Sequence, residues 1–288
     1  MTLNYNSASA LRAFLDQEGL GMQKKFGQNF LINPETRKAL VQALAAQSGD
    51  DVWEIGPGLG AMTAMLLEDG LKVKAFEIDI GFIRVLKNIF AENKNFTLVE
   101  GDVMKTWQAH KPAPFLFGNL PYNVAAALLA DLIENECIFS RMVVTVQKEV
   151  ALRMAASAGK PDYSSFSVLC ASAYNVKPLM TIRPSSFYPQ PNVDSMAVLL
   201  EKKDAQKYPT VFYPLVRALF ASRRKTIKNN LSTFLSARFG ESLQNKQAVQ
   251  DLCASILQSS SLDGGERAEI LGQEVFLSLA LSIDNMRL

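Results

Sequence analysis

Val52-Trp53-Glu54-Ile55-Gly56-Pro57-Gly58-Leu59-Gly60 is the stretch that decides how this chain folds. Val52 to Ile55, apolar apart from Glu54, read as a short buried strand, and the three alternating glycines read as a tight turn into a helix ending near Gly70. Glycine at such a turn takes positive φ without strain and lets the backbone approach a ligand closely. A strand that feeds a helix through a Gly-rich turn is the opening unit of a doubly wound α/β sheet, where ligands bind at the carboxyl ends of the strands.

The alternation continues outward from this unit. Lys72 to Phe76 reads as a second strand ending in Glu77-Ile78-Asp79, with a helix to about Glu92. Phe96 to Val99 is a third strand closed by Gly101-Asp102, Pro114 to Phe117 a fourth, and Met142 to Val146 a fifth followed by a helix from about Lys148. Tyr174 to Ile182 and Ser195 to Leu200 read as a closing strand pair. Strands alternating with helices predict a mostly parallel sheet. Upstream, residues 7–18 have helical spacing, and Asn33-Pro34 is a cap followed by Pro at the first helical position of a helix to about Gln47. Met22 to Leu31 has neither period and reads as a loop, as does the Pro-punctuated stretch Arg183 to Asn192. Past Asp204 the pattern predicts helices only: Tyr213 to Ser222, Lys225 to Arg238, Lys246 to Gln258 and Glu266 to Ser282. The expected organisation is an N-terminal helix and loop (1–33), an α/β domain (34–204) and a small helical domain (205–288).

Composition narrows the class. With 48% hydrophobic and 20% charged residues in 288, the chain is an ordinary globular protein. Its apolar runs are shorter than a membrane span and no signal segment opens it, so the expectation is a cytoplasmic protein without a membrane partner. Cys137, Cys170 and Cys253 form no CxxC pair, and His110 is the only histidine, which argues against a disulfide framework, a metal site and triad chemistry. The net charge of +2 hides an asymmetry. Residues 201–240 carry nine Lys/Arg against two Asp/Glu, and residues 241–288 carry three against seven. The basic block points to a polyanion, against the alternative of a solvated helix face.

Phe117-Gly118-Asn119-Leu120-Pro121-Tyr122-Asn123 follows the fourth strand and precedes an Ala/Leu-rich helix. These residue types suit a planar base bearing an amino group. Asn119 offers a side-chain oxygen to the amine. Pro121 biases Leu120 away from the helical region, leaving the Leu120 carbonyl to accept a second N–H. Tyr122 offers a stacking face. A plain strand-to-helix turn with Asn as a cap is the alternative.

The glycine turn by itself does not separate a nicotinamide dinucleotide from S-adenosylmethionine, because Gly56-x-Gly58-x-x-Ala61 with an acid about 20 residues on satisfies both patterns. Glu54 to Gly60, as E-x-G-x-G-x-G, resembles the first motif of class I methyltransferases. Asn119-Leu120-Pro121-Tyr122 resembles the signature of enzymes that methylate exocyclic amines of bases. Together with Gly27-Gln28-Asn29-Phe30-Leu31, Phe187-Tyr188-Pro189-Gln190-Pro191-Asn192-Val193-Asp194-Ser195 and Arg223-Arg224-Lys225-Thr226, the chain resembles the KsgA-type small-subunit rRNA adenine dimethyltransferases from about Lys24 to its C-terminus.

That resemblance implies a class I methyltransferase fold, Rossmann-like and doubly wound, with a small C-terminal all-helical RNA-binding domain. It implies methyl transfer from S-adenosylmethionine to N6 of two adjacent adenosines in a 3′-terminal hairpin of small-subunit rRNA during ribosome biogenesis, with no metal and no obligate protein partner. By motif, Asn29 and Leu31 close over the cofactor, Gly56 lies against its methionine portion, Glu77 takes the ribose hydroxyls and Asp102 the adenine. Asp102 also reads as a turn residue after Gly101. Asn119 and the Leu120 carbonyl orient the target amine, and Tyr122 and Phe187 sandwich the base. Arg223, Arg224 and Lys225 grip RNA phosphates, as would Lys24 and Lys25, for which a solvated pair is the alternative.

Two departures from the family pattern stand out. Val124-Ala125-Ala126-Ala127 replaces the usual Ser/Thr and Pro, removing a hydroxyl cap, and Gly264-Gly265 precedes Arg267-Ala268-Glu269 where Pro is favoured. Three rivals remain at this level: an Erm-type large-subunit rRNA methyltransferase, a ribosome-assembly binding factor on the same scaffold, and a nicotinamide oxidoreductase.

Overall fold

The structure is a computed structural model that describes residues 3–21, 28–122, 124–204, 206–240 and 245–286. It divides into two compact units, one formed by the chain up to Ala151 with Asn175–Lys202, the other by Leu152–Tyr174 with the chain from Lys203 onward.

In the first unit, α1 (Ala8–Gln17) is followed by the two-residue strand β1 (Phe30–Leu31) and α2 (Pro34–Leu44). Asn33 caps α2 as its sequence predicts, its side chain accepting from Thr36 N at 2.9 Å. The helix stops three residues short of the expected end because Ala45 turns left-handed, with φ of 52°. Next come β2 (Asp51–Ile55), α3 (Ala61–Glu68), β3 (Lys72–Glu77), α4 (Ile80–Phe90), β4 (Phe96–Glu100) and the single turn α5 (Val103–Thr106). Then follow β5 (Phe115–Asn119), α6 (Ala125–Glu134), β6 (Arg141–Gln147) and α7 (Lys148–Ala155). After α8 (Ser165–Ala173), β7 (Tyr174–Ile182) and β9 (Ser195–Lys202) complete the sheet, with the two-residue strand β8 (Phe187–Tyr188) between them in sequence.

Seven strands form one sheet in the order β4-β3-β2-β5-β6-β9-β7. The pairs β2–β3, β3–β4, β2–β5 and β5–β6 are parallel, and β6–β9 is antiparallel. The first strand of the alternation, β2, therefore lies in the middle, with the chain winding outward first through β3 and β4 and then through β5 and β6. The carboxyl ends of β2 and β5 flank the point where that direction reverses, which is where an open α/β sheet opens a crevice. Val52, Trp53 and Ile55 are buried on both faces of β2, as a central parallel strand requires. One core cluster packs α2 and α3 on the sheet through Leu40, Leu44, Leu66, Val73 and Val143.

The stretches predicted to be loops at Met22–Leu31 and Arg183–Asn192 contain the two short strands β1 and β8. They pair antiparallel with Phe30 opposite Tyr188 and Leu31 opposite Phe187, and Ile32 N donates to Ser186 O at 2.8 Å. Two residues carry no readable period, so a pairing across more than 150 positions has no local signature.

In the second unit, α8 packs with α9 (Phe212–Phe220), α10 (Ile227–Phe239), α11 (Lys246–Ser259) and α12 (Gln273–Asp284) around Val168, Phe212, Leu215, Leu231, Ile256 and Phe276. The units divide at Lys202, close to the expected 204, but Leu152–Tyr174, expected in the α/β domain, group with the helices, because Tyr163 and Val168 are part of their core. The helix expected from Glu266 begins only at Gln273. Glu266 instead folds back, its carboxylate accepting from Gly264 N at 2.9 Å, and Gly264 itself has φ of 89° and accepts from Lys228 N. The Gly264-Gly265 departure is therefore a tight turn locked by the following glutamate.

Candidate active site

A cavity of about 300 Å³ opens in the first unit at the carboxyl ends of β2, β3, β4 and β5. Its floor is the turn after β2, where Gly56, Gly58 and Gly60 have φ of 68°, 59° and 87°. A Cβ on Gly58 would stand 3.0 Å from the Phe30 ring, and one on Gly60 would stand 2.6 Å from Phe90. At Gly56 the nearest atoms to such a Cβ are Pro121 Cδ at 3.8 Å and Asn119 O at 3.9 Å, so the floor stays open between the two motifs. Gly58 N donates to Glu77 Oε2 at 3.1 Å, tying the glycine turn to the end of β3.

Three carboxyl groups line this cavity. Glu77 is buried and accepts from Ile78 N and Asp79 N, both at 2.9 Å, as well as from Gly58. Burial nonetheless pushes its pKa up to about 7, the three backbone hydrogen bonds offsetting only part of that effect. Glu54 is buried more deeply and receives the Thr63 hydroxyl at 2.6 Å. Burial raises it to about 8, the Thr63 hydrogen bond opposes this, and the nearby Glu77 charge adds to it. Asp102 accepts from Met104 N at 3.0 Å. The plain reading makes it a turn residue after Gly101; the structure makes it the cap of α5 through one oxygen and a cavity residue at once.

This donor set fits S-adenosylmethionine. Acceptor carboxyls at the ends of β3 and β4 suit a ribose diol and an adenine amine.

The Asn119-Leu120-Pro121-Tyr122 motif forms the wall beside the glycine floor. Asn119 Nδ2 donates to Asn29 O at 2.8 Å. Because a carbonyl accepts only from the NH₂ end, this contact fixes the amide and leaves Oδ1 as the acceptor. Leu120 N donates to Thr145 O at 3.0 Å. Val124 N and Ala125 N both donate to Pro121 O, so α6 begins without drawing on the Leu120 carbonyl, and no hydrogen bond among the described residues reaches that oxygen. The missing hydroxyl cap has the predicted effect: Val124 caps α6 with no side-chain bond. Tyr122 is half-buried, and its hydroxyl meets Ser195 Oγ at 2.5 Å.

Asn29 and Leu31 also line the cavity, held there by the β1–β8 pairing. Phe187 does not take the stacking position expected of it. It is 1% exposed and packs in the sheet core with Leu31 and Ile182, because the β8 register turns its side chain inward. The first helix supplies walls that sequence reasoning missed. Tyr5 and Leu11 line the cavity, with Tyr5 Oη donating to Leu59 O at 3.0 Å and Arg37 bonding Tyr5 O and the Asn6 side chain. An isolated Tyr in an N-terminal segment gives no signal of this.

In the second unit, the turn between α9 and α10 presents Arg224 and Lys225 to solvent, and Lys228 is exposed in the first turn of α10. Arg223 is more committed: its guanidinium pairs with Glu269 at 3.2 Å and donates to Pro161 O at 3.0 Å. Asn230, buried, donates to Leu219 O and Ser222 O and braces the same turn. Lys24 and Lys25 lie outside the described residues. Among the described residues no group of His, Cys, Asp and Glu is placed to hold a metal ion, and no helix is long and apolar enough to cross a membrane.

The family model for ribosomal RNA adenine dimethylases matches residues 19–260. The chain is 48% identical over 288 residues to "Ribosomal RNA small subunit methyltransferase A" of Treponema denticola, covering 96% of this chain and 94% of that protein. It is 33% identical to the protein of the same name from a Geobacillus species, covering 96% of each. Among solved structures it is similar to a dimethyladenosine transferase from Plasmodium falciparum, with a TM-score of 0.75 and 27% identity over 88% of this chain and 96% of that one. The 23S rRNA methyltransferase ErmE shares the fold, with a TM-score of 0.62 at 18% identity over 88% of this chain and 99% of that one.

Proposed function

The chain belongs to the ribosomal RNA adenine dimethylase family, and from that premise we propose how its cavity carries out the reaction. The protein is an S-adenosylmethionine-dependent methyltransferase that dimethylates adenine in small-subunit rRNA. In our reading the targets are two adjacent adenosines in a hairpin near the 3′ end. Modification takes place in the cytoplasm on a partly assembled subunit, without an obligate protein partner.

The observation that carries this reading is the pair of acceptors at the end of β5. Asn119 Oδ1, oriented by the bond to Asn29 O, and the Leu120 carbonyl, which no hydrogen bond among the described residues reaches, both belong to residues that line the cavity beside the glycine floor. When bound, S-adenosylmethionine supplies a methyl group activated on a sulfonium. Gly56 and Gly58 admit the cofactor's backbone-hugging portion, Glu77 accepts from its ribose hydroxyls, Asp102 from its adenine amine, and Asn29 and Leu31 close over it. The nitrogen lone pair of an adenine amine is delocalised into the ring. Accepting both N6–H bonds, Asn119 and Leu120 favour the pyramidal amine and aim its lone pair. This is catalysis by positioning and electrostatics, and no histidine or strong base is needed. The N6 proton leaves to solvent after transfer. Tyr122 offers a stacking face that offsets part of the cost of extruding the base. Arg224 and Lys225, with Lys24 and Lys25, contact RNA phosphates, and Arg223 holds the basic turn in shape.

N6,N6-Dimethyladenine cannot form a Watson–Crick pair, so primer extension on small-subunit rRNA treated with the protein tests the position directly. Arrest at the more 3′ of the two adenosines near the 3′ end is expected, with two dimethyladenosines per subunit on digestion. Arrest elsewhere, or a single dimethyladenosine per subunit, would overturn the assignment of the target.

A further inference from the structure

We propose that Ser195 is a positioning residue for methyl transfer: its buried hydroxyl holds the Tyr122 ring as the wall against which the target adenine stacks. The proposal rests on the reading of Tyr122 given above and assigns a role to a serine outside the catalytic motif, 73 residues further along the chain.

Ser195 opens β9, and its register partner is Gln147, the last residue of β6. It is 0% exposed, and among the described residues the Tyr122 hydroxyl at 2.5 Å is its only side-chain partner. The β6–β9 register holds the backbone on its C-terminal side and Lys148 holds it on the other. Lys148 N donates to Asp194 O at 3.0 Å, and Lys148 Nζ lies 3.8 Å from Asp194 Oδ2. The serine oxygen is therefore a fixed point of the sheet. Tyr122, by contrast, sits in a turn after Pro121, outside any helix or strand. A tyrosine ring has two soft torsions, and one strong hydrogen bond at its far end restrains both. Stacking and the two amine contacts can act together only if the ring plane and the carbonyl oxygens keep one relative placement. Misplacement of a reacting group by about 1 Å can cost as much as 10²-fold in rate. The burial that raises the Tyr122 pKa keeps its hydroxyl neutral and able to share a proton with Ser195.

A serine that merely stabilised the fold would change unfolding and leave the ratio of kcat to KM for RNA untouched. The test is a double-mutant cycle of Ser195→Ala and Tyr122→Phe, read as single-turnover methyl transfer to unmethylated small subunits, with S-adenosylmethionine affinity and thermal unfolding measured alongside. Each single variant is expected to lose on the order of ten-fold in single-turnover rate at unchanged cofactor affinity. The double variant should be no slower than either single one, and Ser195→Thr should recover most of the rate. Independent, multiplying losses in the double variant, or a wild-type rate for Ser195→Ala, would overturn the proposal. Should Ser195→Ala fail to fold, Tyr122→Phe reports the same bond from its exposed end, and a wild-type rate for it is equally contradictory. Full activity of Tyr122→Ala would instead remove the stacking role of Tyr122 itself.

Discussion

Asn119 Nδ2 donates to the backbone carbonyl of Asn29 at 2.8 Å, across 90 residues of sequence. The contact joins two segments that line the cavity, and it decides which end of the Asn119 amide is left as the acceptor. The bond that orients the Asn119 amide thus ends on the segment that the β1–β8 pairing holds at the cavity.

Replacement of Asn119 by Ala removes both the acceptor and that tie. Single-turnover methyl transfer should fall by about 10²–10³-fold, the range found for loss of one positioned polar group. RNA affinity, measured by filter binding, should change by less than about two-fold, since phosphate contacts dominate it. Asn119→Asp keeps an acceptor but sets a carboxylate against the Asn29 carbonyl. It should be nearly as slow as the Ala variant.

The glycine turn separates ligand approach from folding. Gly56→Ala meets only atoms 3.8 Å or more away but must hold φ of 68°, which costs about 1–2 kcal/mol. Gly60→Ala carries a similar backbone cost and also drives a Cβ to 2.6 Å from Phe90, adding about 1–3 kcal/mol of overpacking. Denaturant titration should therefore rank Gly60→Ala as the less stable protein. Calorimetric titration should find the larger loss of S-adenosylmethionine affinity in Gly56→Ala.

Stability should depend on pH through Glu54 and Glu77. In the unfolded chain each ionises near 4.5, and in the fold burial raises them to about 8 and about 7. Between those values the folded protein holds protons that the unfolded chain has released. The free energy of unfolding without cofactor should thus fall as pH rises from 4.5 through 8, by up to about 1.4 kcal/mol per pH unit for each group. Glu54→Gln carries no such proton, so its unfolding midpoint should vary less between pH 6 and pH 8. An unchanged pH dependence would mean that Glu54 is ionised in the fold.

The basic turn should divide by residue. Arg224→Ala and Lys225→Ala each remove an exposed cation, so each should lower the slope of log affinity for RNA against log salt by about 0.7–0.9. Arg223→Ala loses its contacts to Glu269 and Pro161 O, and should show its effect in thermal unfolding as well. Equal salt slopes for all three variants and the wild type would place the RNA elsewhere.

Much of this architecture was legible before any coordinates. The strand–glycine–helix alternation from Asp51 onward fixes β2 to β6, because parallel central strands are apolar on both faces and their turns are marked by Gly and Asp. Asn33-Pro34 announces a helix start through side-chain chemistry, and Asn33 caps α2 as read. Asn119, Leu120, Glu77 and Asp102 could be located because strand ends in this topology converge on one crevice. What escaped reading depends on pairing across long separations. The two-residue strands β1 and β8 have no periodicity, and the inward turn of Phe187 follows from their register alone. The Tyr5 wall and the Ser195 contact with Tyr122 arise from packing that no local spacing encodes. The membership of α8 in the helical unit likewise rests on Tyr163 and Val168 finding partners far downstream.

The most direct test of the central claim is methyl transfer from labelled S-adenosylmethionine to unmethylated small subunits and, in parallel, to large-subunit RNA, followed by digestion and identification of the labelled nucleoside. The account predicts N6,N6-dimethyladenosine from small subunits alone, and its disappearance with Asn119→Ala. Label on large-subunit RNA, or no label on either while RNA binding persists, would contradict it.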